Sequence, residues 1–93
     1  MESFEGKIAV VSGGGTGMGR ELVCQLISEG AHVATCDVIE YNLLETMELA
    51  EKKVTGRLTT HMCDVSEENQ QIRFRAEVAA QHETDHIDLL FNN

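Results

Sequence analysis

The 93-residue chain has few basic residues, no proline, no tryptophan and no long apolar run. Seven Lys and Arg stand against 16 Asp and Glu, for a formal net charge of −9, and the basic residues are scattered. Because a nucleic-acid backbone is held mainly by clustered Lys and Arg, this composition argues against a nucleic-acid partner. An anionic small ligand remains compatible with the charge if backbone amides bind it.

Signals for a membrane or for export are also missing from the sequence. No apolar run approaches the length that crosses a bilayer, and residues 1–3 lack the basic and then hydrophobic profile of a signal peptide. The three cysteines, Cys24, Cys36 and Cys63, are an odd number without the spacing of a disulfide framework. We therefore expect a cytoplasmic protein without a membrane partner.

Short apolar segments alternate with amphipathic segments along the chain. The predicted strands are residues 7–12, residues 31–37, a segment after Gly56 that ends near Cys63, and residues 86–92. The predicted helices are residues 18–29, residues 42–53, and a third that ends near His82. This βαβαβαβ alternation predicts an α/β fold, a Rossmann-type doubly wound parallel sheet with helices on its faces.

Two finer expectations concern the second and third helices. The apolar residues of the second helix are expected on one side, namely Leu43, Leu44, Met47 and Ala50. Ser66 is the expected N-cap of the third helix, because Glu67 and Glu68 follow it where the helix dipole favours acids.

The first predicted strand runs into VVSGGGTGMGR (residues 10–20), which has five glycines within seven positions. A P-loop would require a lysine and a hydroxyl residue where Arg20 and Glu21 stand, so this is not a nucleoside triphosphatase loop. The strict dinucleotide pattern G-x-G-x-x-G fits Gly13 and Gly15 but meets Met18 at its third place. A third pattern must therefore be considered.

That third pattern is [ST]-G-x-x-x-G-x-G, which begins at Ser12 and fits Gly13, Gly17 and Gly19 completely. With it, the chain resembles the short-chain dehydrogenases/reductases. In that family the three glycines form the turn after the first strand, let the pyrophosphate approach the backbone, and allow the helix to pack closely. Free amides at a helix N-terminus favour an anion for independent physical reasons.

Three further landmarks occur in the order that the family has them. Asp37 closes the second strand about 20 residues after the middle glycine, where a carboxylate accepts hydrogen bonds from the adenosine ribose. Asp64 and Val65 resemble the pair whose side chain and backbone hold the adenine ring. Asn92 and Asn93 resemble the opening of the family's Asn-Asn-Ala-Gly motif.

The resemblance implies a set of cofactor-binding residues and NAD as the cofactor. That set comprises Gly13, Gly15, Thr16, Gly17, Met18, Gly19, Asp37, Val38, Asp64, Val65 and Asn92. NAD is expected over NADP because Asp37 would repel a 2′-phosphate. Thr16 and Val38 stand where NADP-preferring relatives carry a compensating basic residue.

The resemblance also implies hydride transfer between a nicotinamide and the carbon of a small alcohol or carbonyl substrate. The family's catalytic asparagine, serine, tyrosine and lysine find no counterpart in residues 1–93, so we expect this chain to be the N-terminal part of a single NAD(P)-binding domain. The chain alone would be inactive, and the intact protein would be a homo-oligomer.

Two alternative functions compete with this one. The first is a nucleotide-binding or regulatory truncation product. A Rossmann-like methyltransferase fits less well, because those enzymes usually carry an acid where Ser12 stands.

Several other residues could suggest chemistry. His82 and His86 have the i, i+4 spacing of a metal pair, but without a third ligand we expect a solvated surface pair. Cys36 and Cys63 each precede a strand-ending aspartate and are expected to be ordinary buried thiols. Arg20 could reach a pyrophosphate oxygen or point to water, and the sequence leaves both open.

Overall fold

The computed structural model describes residues 4–51, 57–83 and 86–92. The elements in chain order are β1 (Ile8–Ser12), α1 (Gly17–Ser28), β2 (His32–Asp37), α2 (Glu40–Glu51), β3 (Leu58–Met62), α3 (Glu68–Gln81) and β4 (Leu89–Asn92). All strand pairs are parallel, and the strand order in the sheet is β3-β2-β1-β4. The predicted α/β Rossmann-type fold is confirmed.

The predicted element boundaries shift by a few residues. β4 begins at Leu89 rather than at residue 86, because the Asp88 carboxylate accepts a hydrogen bond from the Ile8 amide at 2.8 Å before the ladder starts. α2 begins two residues earlier than expected, and its predicted last residues, 52–53, lie outside the described residues.

The N-cap of α3 is Glu67 and not Ser66, so that prediction is wrong. The Ser66 hydroxyl donates instead to Asp64 Oδ1 at 2.6 Å, and the Ser66 amide donates to the same oxygen at 2.9 Å. Ser66 therefore closes a turn on the aspartate that precedes it, and its hydroxyl is not available to the helix.

Alternate residues of the central strands feed two cores on opposite faces of the sheet. The core under α1 and α2 includes Ala9, Val11, Val23, Ile27 and Val33. The core under α3 includes Val10, Ala34, Cys36, Cys63, Phe74 and Val78.

None of the three helices in the described part of the chain combines the length and the hydrophobicity that a membrane-spanning helix requires.

The buried side of α2 differs from the expected one at three positions, and Met47 is only half-buried. Leu43, Thr46 and Ala50 are buried, whereas Leu44 is 55% exposed. Residues 43, 46 and 50 follow the i, i+3, i+7 stripe of a helix, and residue 44 lies about 100° away from residue 43 on the helix surface. A polar residue, Thr46, thus occupies a core position that the apolar pattern did not predict.

Candidate functional site

The residues predicted to form the site follow the carboxyl ends of the four strands. In a parallel sheet those ends meet at one edge, where ligands of open α/β sheets bind. Ser12 at the end of β1 is in register with Cys36 of β2 and with Asn92 of β4, and Asp37 is in register with Met62 of β3. The sheet thereby brings the glycine loop beside Asp37.

The glycine loop folds over the end of β2. The amides of Gly13 and Gly14 both donate to the Cys36 carbonyl, at 2.9 and 3.2 Å, and Gly13 has φ +72°. A Cβ on Gly14 would lie 1.8 Å from Thr35 Oγ1, an atom that donates to the Val11 carbonyl at 2.7 Å inside the core. The loop can approach the strand this closely only if residue 14 has no side chain.

Gly14 was not among the predicted site residues. The fitted motif treats it as variable, and the signal that could have identified it is the run of three glycines where only the first is required. Its requirement comes from contact with Thr35, a residue 21 positions later in the chain.

Asp37 is held in place by two backbone amides. Its Oδ2 accepts from the Gly15 amide at 2.9 Å, and its Oδ1 accepts from the Val38 amide at 2.7 Å. A Cβ on Gly15 would lie 2.5 Å from Oδ2 and 2.9 Å from Asn42 Cβ, so a side chain at this position would displace the carboxylate. Each carboxylate oxygen keeps further acceptor capacity for a ligand hydroxyl.

The N-terminus of α1 presents unpaired helical amides beside this carboxylate. Its N-cap, Thr16, is extended and makes no side-chain capping bond. Gly17 has φ +58°, and a Cβ there would meet no atom within 4 Å. The first amides of a helix have no intrahelical acceptor and carry partial positive charge. The surface at Gly17 is therefore open, and the helix amides beside it favour an anion.

Arg20 takes neither of the two roles that the sequence left open. Its Nε donates to Thr46 Oγ1 at 2.9 Å, its Nη2 donates to the Asn42 carbonyl at 3.1 Å, and its Nη1 lies 3.7 Å from Glu45 Oε2. The guanidinium thus joins α1 to α2. A sequence motif could not indicate this, because all three partners lie more than 20 residues away.

A cavity of about 370 Å³ lies beyond the ends of β2 and β3. Val38 and Asp64 both line it, together with Met62, Cys63, Gln70 and Arg73. The Asp64 carboxylate accepts hydrogen bonds from Ser66, and these lower the pKa of Asp64, so Asp64 is ionised at neutral pH. Gln70 Oε1 accepts from the Asp64 amide at 2.7 Å and fixes the loop that carries it.

Val65 and Asn92 line a different cavity from Val38 and Asp64. Val65 and Asn92 line a groove of about 420 Å³ beside α3 and β4, and Phe74 and Leu90 also border this groove. The structure therefore divides the predicted set into two places on the carboxyl edge. Met18, which is 79% exposed, and Gly19, which is buried, lie in the first turn of α1 and line neither cavity.

Arg73 is a cation that the sequence reasoning missed. It lines the cavity with Val38, its Nη2 donates to the Met62 carbonyl, and its Nε lies 3.4 Å from Glu77 Oε2. Only the packing of α3 against β3 brings it to the ends of the strands.

His82 and His86 do not form the predicted surface pair. His86 is exposed, but His82 is half-buried and its Nε2 lies 2.7 Å from Thr59 Oγ1. Burial, reinforced by the charge of Arg57, lowers the pKa of His82. Thr59 Oγ1 also lies 2.9 Å from Nε2 of the buried His61, whose Nδ1 is 2.8 Å from Glu77 Oε1. These groups connect α3 to β3 on the outer side of the sheet.

Cys36 and Cys63 are both buried free thiols, as expected. Burial is the main cause that raises the pKa of Cys36 to about 12, and it also raises the pKa of Cys63. Neither thiol is ionised at neutral pH, so neither is an activated nucleophile.

A family model described as short chain dehydrogenase matches residues 7–93, with the glycine loop, Asp37 and Asp64 all inside the match. The chain belongs to this family. Because the match extends from residue 7 to residue 93, the chain is assigned to this family and not to the methyltransferases.

Individual relatives agree with this assignment. A tropinone reductase homologue from Arabidopsis thaliana is 38% identical over 84% of this chain and 29% of its own length. The structure of an NAD+-bound xylitol dehydrogenase is 30% identical, with a TM-score of 0.87 over 99% of this chain and 34% of that one. A metagenomic short-chain oxidoreductase in complex with NADP is 29% identical, with a TM-score of 0.80 over 96% of this chain and 39% of that one.

This short-chain dehydrogenase chain spans about a third of the length of the curated relatives that it matches. The neighbouring structures include both an NAD+ and an NADP complex. Membership of the family therefore does not decide which of the two dinucleotides is bound, and the residues of the site must be considered for that question.

Proposed function

We propose that this chain forms the dinucleotide-binding part of an NAD(H)-dependent oxidoreductase that acts on a small alcohol or carbonyl compound. The observation that carries the proposal is the position of Asp37. Its carboxylate ends β2, is oriented by two amides, and lies next to the glycine loop that leads into α1. A carboxylate at this place in a Rossmann fold accepts hydrogen bonds from the hydroxyls of the adenosine ribose.

The pyrophosphate would bind at the first turn of α1. The amides of Gly13, Gly14 and Gly15 already donate to protein acceptors. The amides at Gly17, Met18 and Gly19 belong to the first helical turn, and a bound anion there gains from the helix dipole. The glycines at 13–15 would then shape the loop, and residues 17–19 would supply the donors.

The adenine ring would enter the cavity that Val38 and Asp64 line, since Val38 directly follows Asp37 and the cavity extends from it across the end of β3. Asn92 ends β4 on the other side of β1 and would face the nicotinamide half of the cofactor. Val65 lies on that side as well, away from the proposed adenine position. When bound, the cofactor supplies the hydride chemistry, and residues of this chain hold and orient it.

A preference for NAD(H) over NADP(H) follows from the charge of Asp37. Two like charges about 4 Å apart repel by roughly 1 kcal/mol in water and about 4 kcal/mol at the effective dielectric near a protein surface. This corresponds to a preference of about fivefold to just under a thousandfold. Arg73 is the cation that borders the adenine cavity, but its guanidinium is already engaged with Glu77 and the Met62 carbonyl.

The test is fluorescence titration of the full-length protein with NADH and with NADPH at fixed salt. The unmodified protein should bind NADH more tightly, Asp37→Ala should narrow the preference, and Asp37→Ala with Val38→Arg should reverse it. Glu48→Ala is the matched control, because it removes one negative charge from the exposed surface of α2 and should leave the ratio unchanged. Equal or tighter binding of NADPH by the unmodified protein would contradict the proposal.

A further inference from the structure

Thr46 is a fully buried hydroxyl that connects α2 to the glycine loop. Its Oγ1 lies 2.8 Å from the Gly14 carbonyl, 3.1 Å from the Asn42 carbonyl and 3.3 Å from the Gly15 carbonyl, and it accepts from Arg20 Nε at 2.9 Å. A threonine hydroxyl has one proton, so it can donate fully to only one of these three carbonyls.

Arg20 decides where that proton goes. Its Nε occupies a lone pair of Thr46 Oγ1, and its Nη2 donates to the Asn42 carbonyl at 3.1 Å. The Asn42 carbonyl, which is the usual acceptor for a threonine within a helix, is therefore already satisfied. The Thr46 proton is directed to the Gly14 carbonyl, which is the nearest of the three acceptors.

The Gly14 carbonyl and the Gly15 amide belong to the same planar peptide group. Thr46 holds this group at its oxygen, and Asp37 Oδ2 accepts from its nitrogen at 2.9 Å. A rotation of the peptide would break both hydrogen bonds together. The orientation of the Asp37 carboxylate is thus coupled to the Thr46 hydroxyl, although the two side chains need not touch.

We propose that Thr46 is a positioning residue for cofactor choice, which acts through the Gly14–Gly15 peptide to keep the Asp37 carboxylate facing the ribose. This inference rests on the proposed function. Without the Thr46 hydroxyl the peptide can turn, Asp37 keeps only its bond to the Val38 amide, and the carboxylate can move away from a 2′-phosphate. The preference for NADH over NADPH should then fall by a larger factor than the affinity for NADH does.

The experiment measures dissociation constants for NADH and NADPH on the full-length protein and on Thr46→Val, which keeps the volume and removes the hydroxyl. The NADPH-to-NADH ratio of these constants should fall about tenfold in Thr46→Val. Thr46→Ser restores the hydroxyl and should return the ratio to within about twofold of the unmodified protein.

Thr59→Val controls for loss of stability, since Thr59 is also a buried, hydrogen-bonded hydroxyl but lies away from the loop. It should lower the unfolding midpoint without changing the ratio. Arg20→Met leaves Thr46 in place and frees the Asn42 carbonyl, so it should shift the ratio in the same direction by a smaller factor. This variant keeps the inference testable if Thr46→Val does not fold.

If the unmodified protein prefers NADH but the ratio is unchanged in Thr46→Val, the inference about Thr46 is overturned and the proposed function is not. If Thr46→Val does not fold, an unchanged ratio in Arg20→Met has the same meaning. A Thr46→Ser variant that loses discrimination as fully as Thr46→Val would also overturn it, because the hydroxyl would not be the cause. An unmodified protein that binds neither dinucleotide, or that prefers NADPH, would refute the proposed function and this inference with it.

Discussion

Replacement of Gly14 by alanine should destabilise this protein more than any ordinary loop substitution. The added Cβ would lie 1.8 Å from Thr35 Oγ1, 2.9 Å from Thr35 Cβ and 3.1 Å from Val23 Cγ2. Thr35 is fully buried and its hydroxyl donates to the Val11 carbonyl at 2.7 Å. Either the loop moves away from β2 or Thr35 gives up this hydrogen bond.

The magnitude follows from those two routes. Overpacking of a well-packed interior costs about 1–3 kcal/mol. A buried hydrogen bond whose acceptor is left unsatisfied costs about 1–3 kcal/mol. Either route alone lowers the free energy of unfolding by about 1–3 kcal/mol, and both together by up to about 6 kcal/mol, a large share of the roughly 5–15 kcal/mol that stabilises a domain.

Urea unfolding of the full-length protein measures this change. Gly6→Ala is the matched control, since Gly6 has φ +77° and an added Cβ there would meet no atom within 4 Å. Gly6→Ala should lower the free energy of unfolding by roughly 1 kcal/mol, which is the penalty of placing alanine in the left-handed backbone conformation. Thr35→Ala combined with Gly14→Ala removes the nearest clash, and the two changes should be less than additive. A Gly14→Ala variant within about 0.5 kcal/mol of the unmodified protein would refute the close packing of the loop on Thr35.

Two further predictions concern titratable groups. Because burial lowers the pKa of His82 in the folded state, the unfolded chain binds this proton more readily, and stability should decline as the pH falls below about 6.5. His82→Gln should flatten that decline in urea unfolding measured between pH 7 and pH 5, whereas parallel profiles for the two proteins would contradict the assignment. Because burial raises the pKa of Cys36 to about 12, iodoacetamide at pH 8 should modify the half-buried Cys24 before Cys36 in the native protein, and both in urea. Mass spectrometry of the alkylated peptides measures the order in which the two cysteines react. Modification of Cys36 in the native protein at the same rate as Cys24 would contradict the prediction.

Much of the fold could be predicted because its signals are local. Burial on both faces makes a parallel strand such as β1 continuously apolar over residues 8–11, and helices keep a 3.6-residue period, so the alternation of elements is visible along the chain. Alternation of this kind permits few topologies, and the carboxyl ends of parallel strands meet at one edge. The approach of Asp37 to the glycine loop therefore follows from the order of the residues.

The partners of individual polar side chains could not be predicted in the same way. Ser66 matched the pattern of an N-cap and binds Asp64, His82 matched a surface pair and lies beside Thr59, and Thr46 interrupted an apolar stripe and proved to be buried. Each outcome was decided by the packing of two elements, which brings together groups that local periodicity does not relate.

The sequence by itself determined the order of the elements, the sheet edge that carries the candidate site residues and the family of this protein. Those properties depend on the spacing of glycines, acids and apolar residues along one segment at a time. Only the tertiary structure decided that Gly14 must lack a side chain, that Arg20 holds α2, and that one peptide group links Thr46 to Asp37. Hydrogen bonds form over about 3 Å, and which groups come within that distance depends on how the helices pack on the sheet.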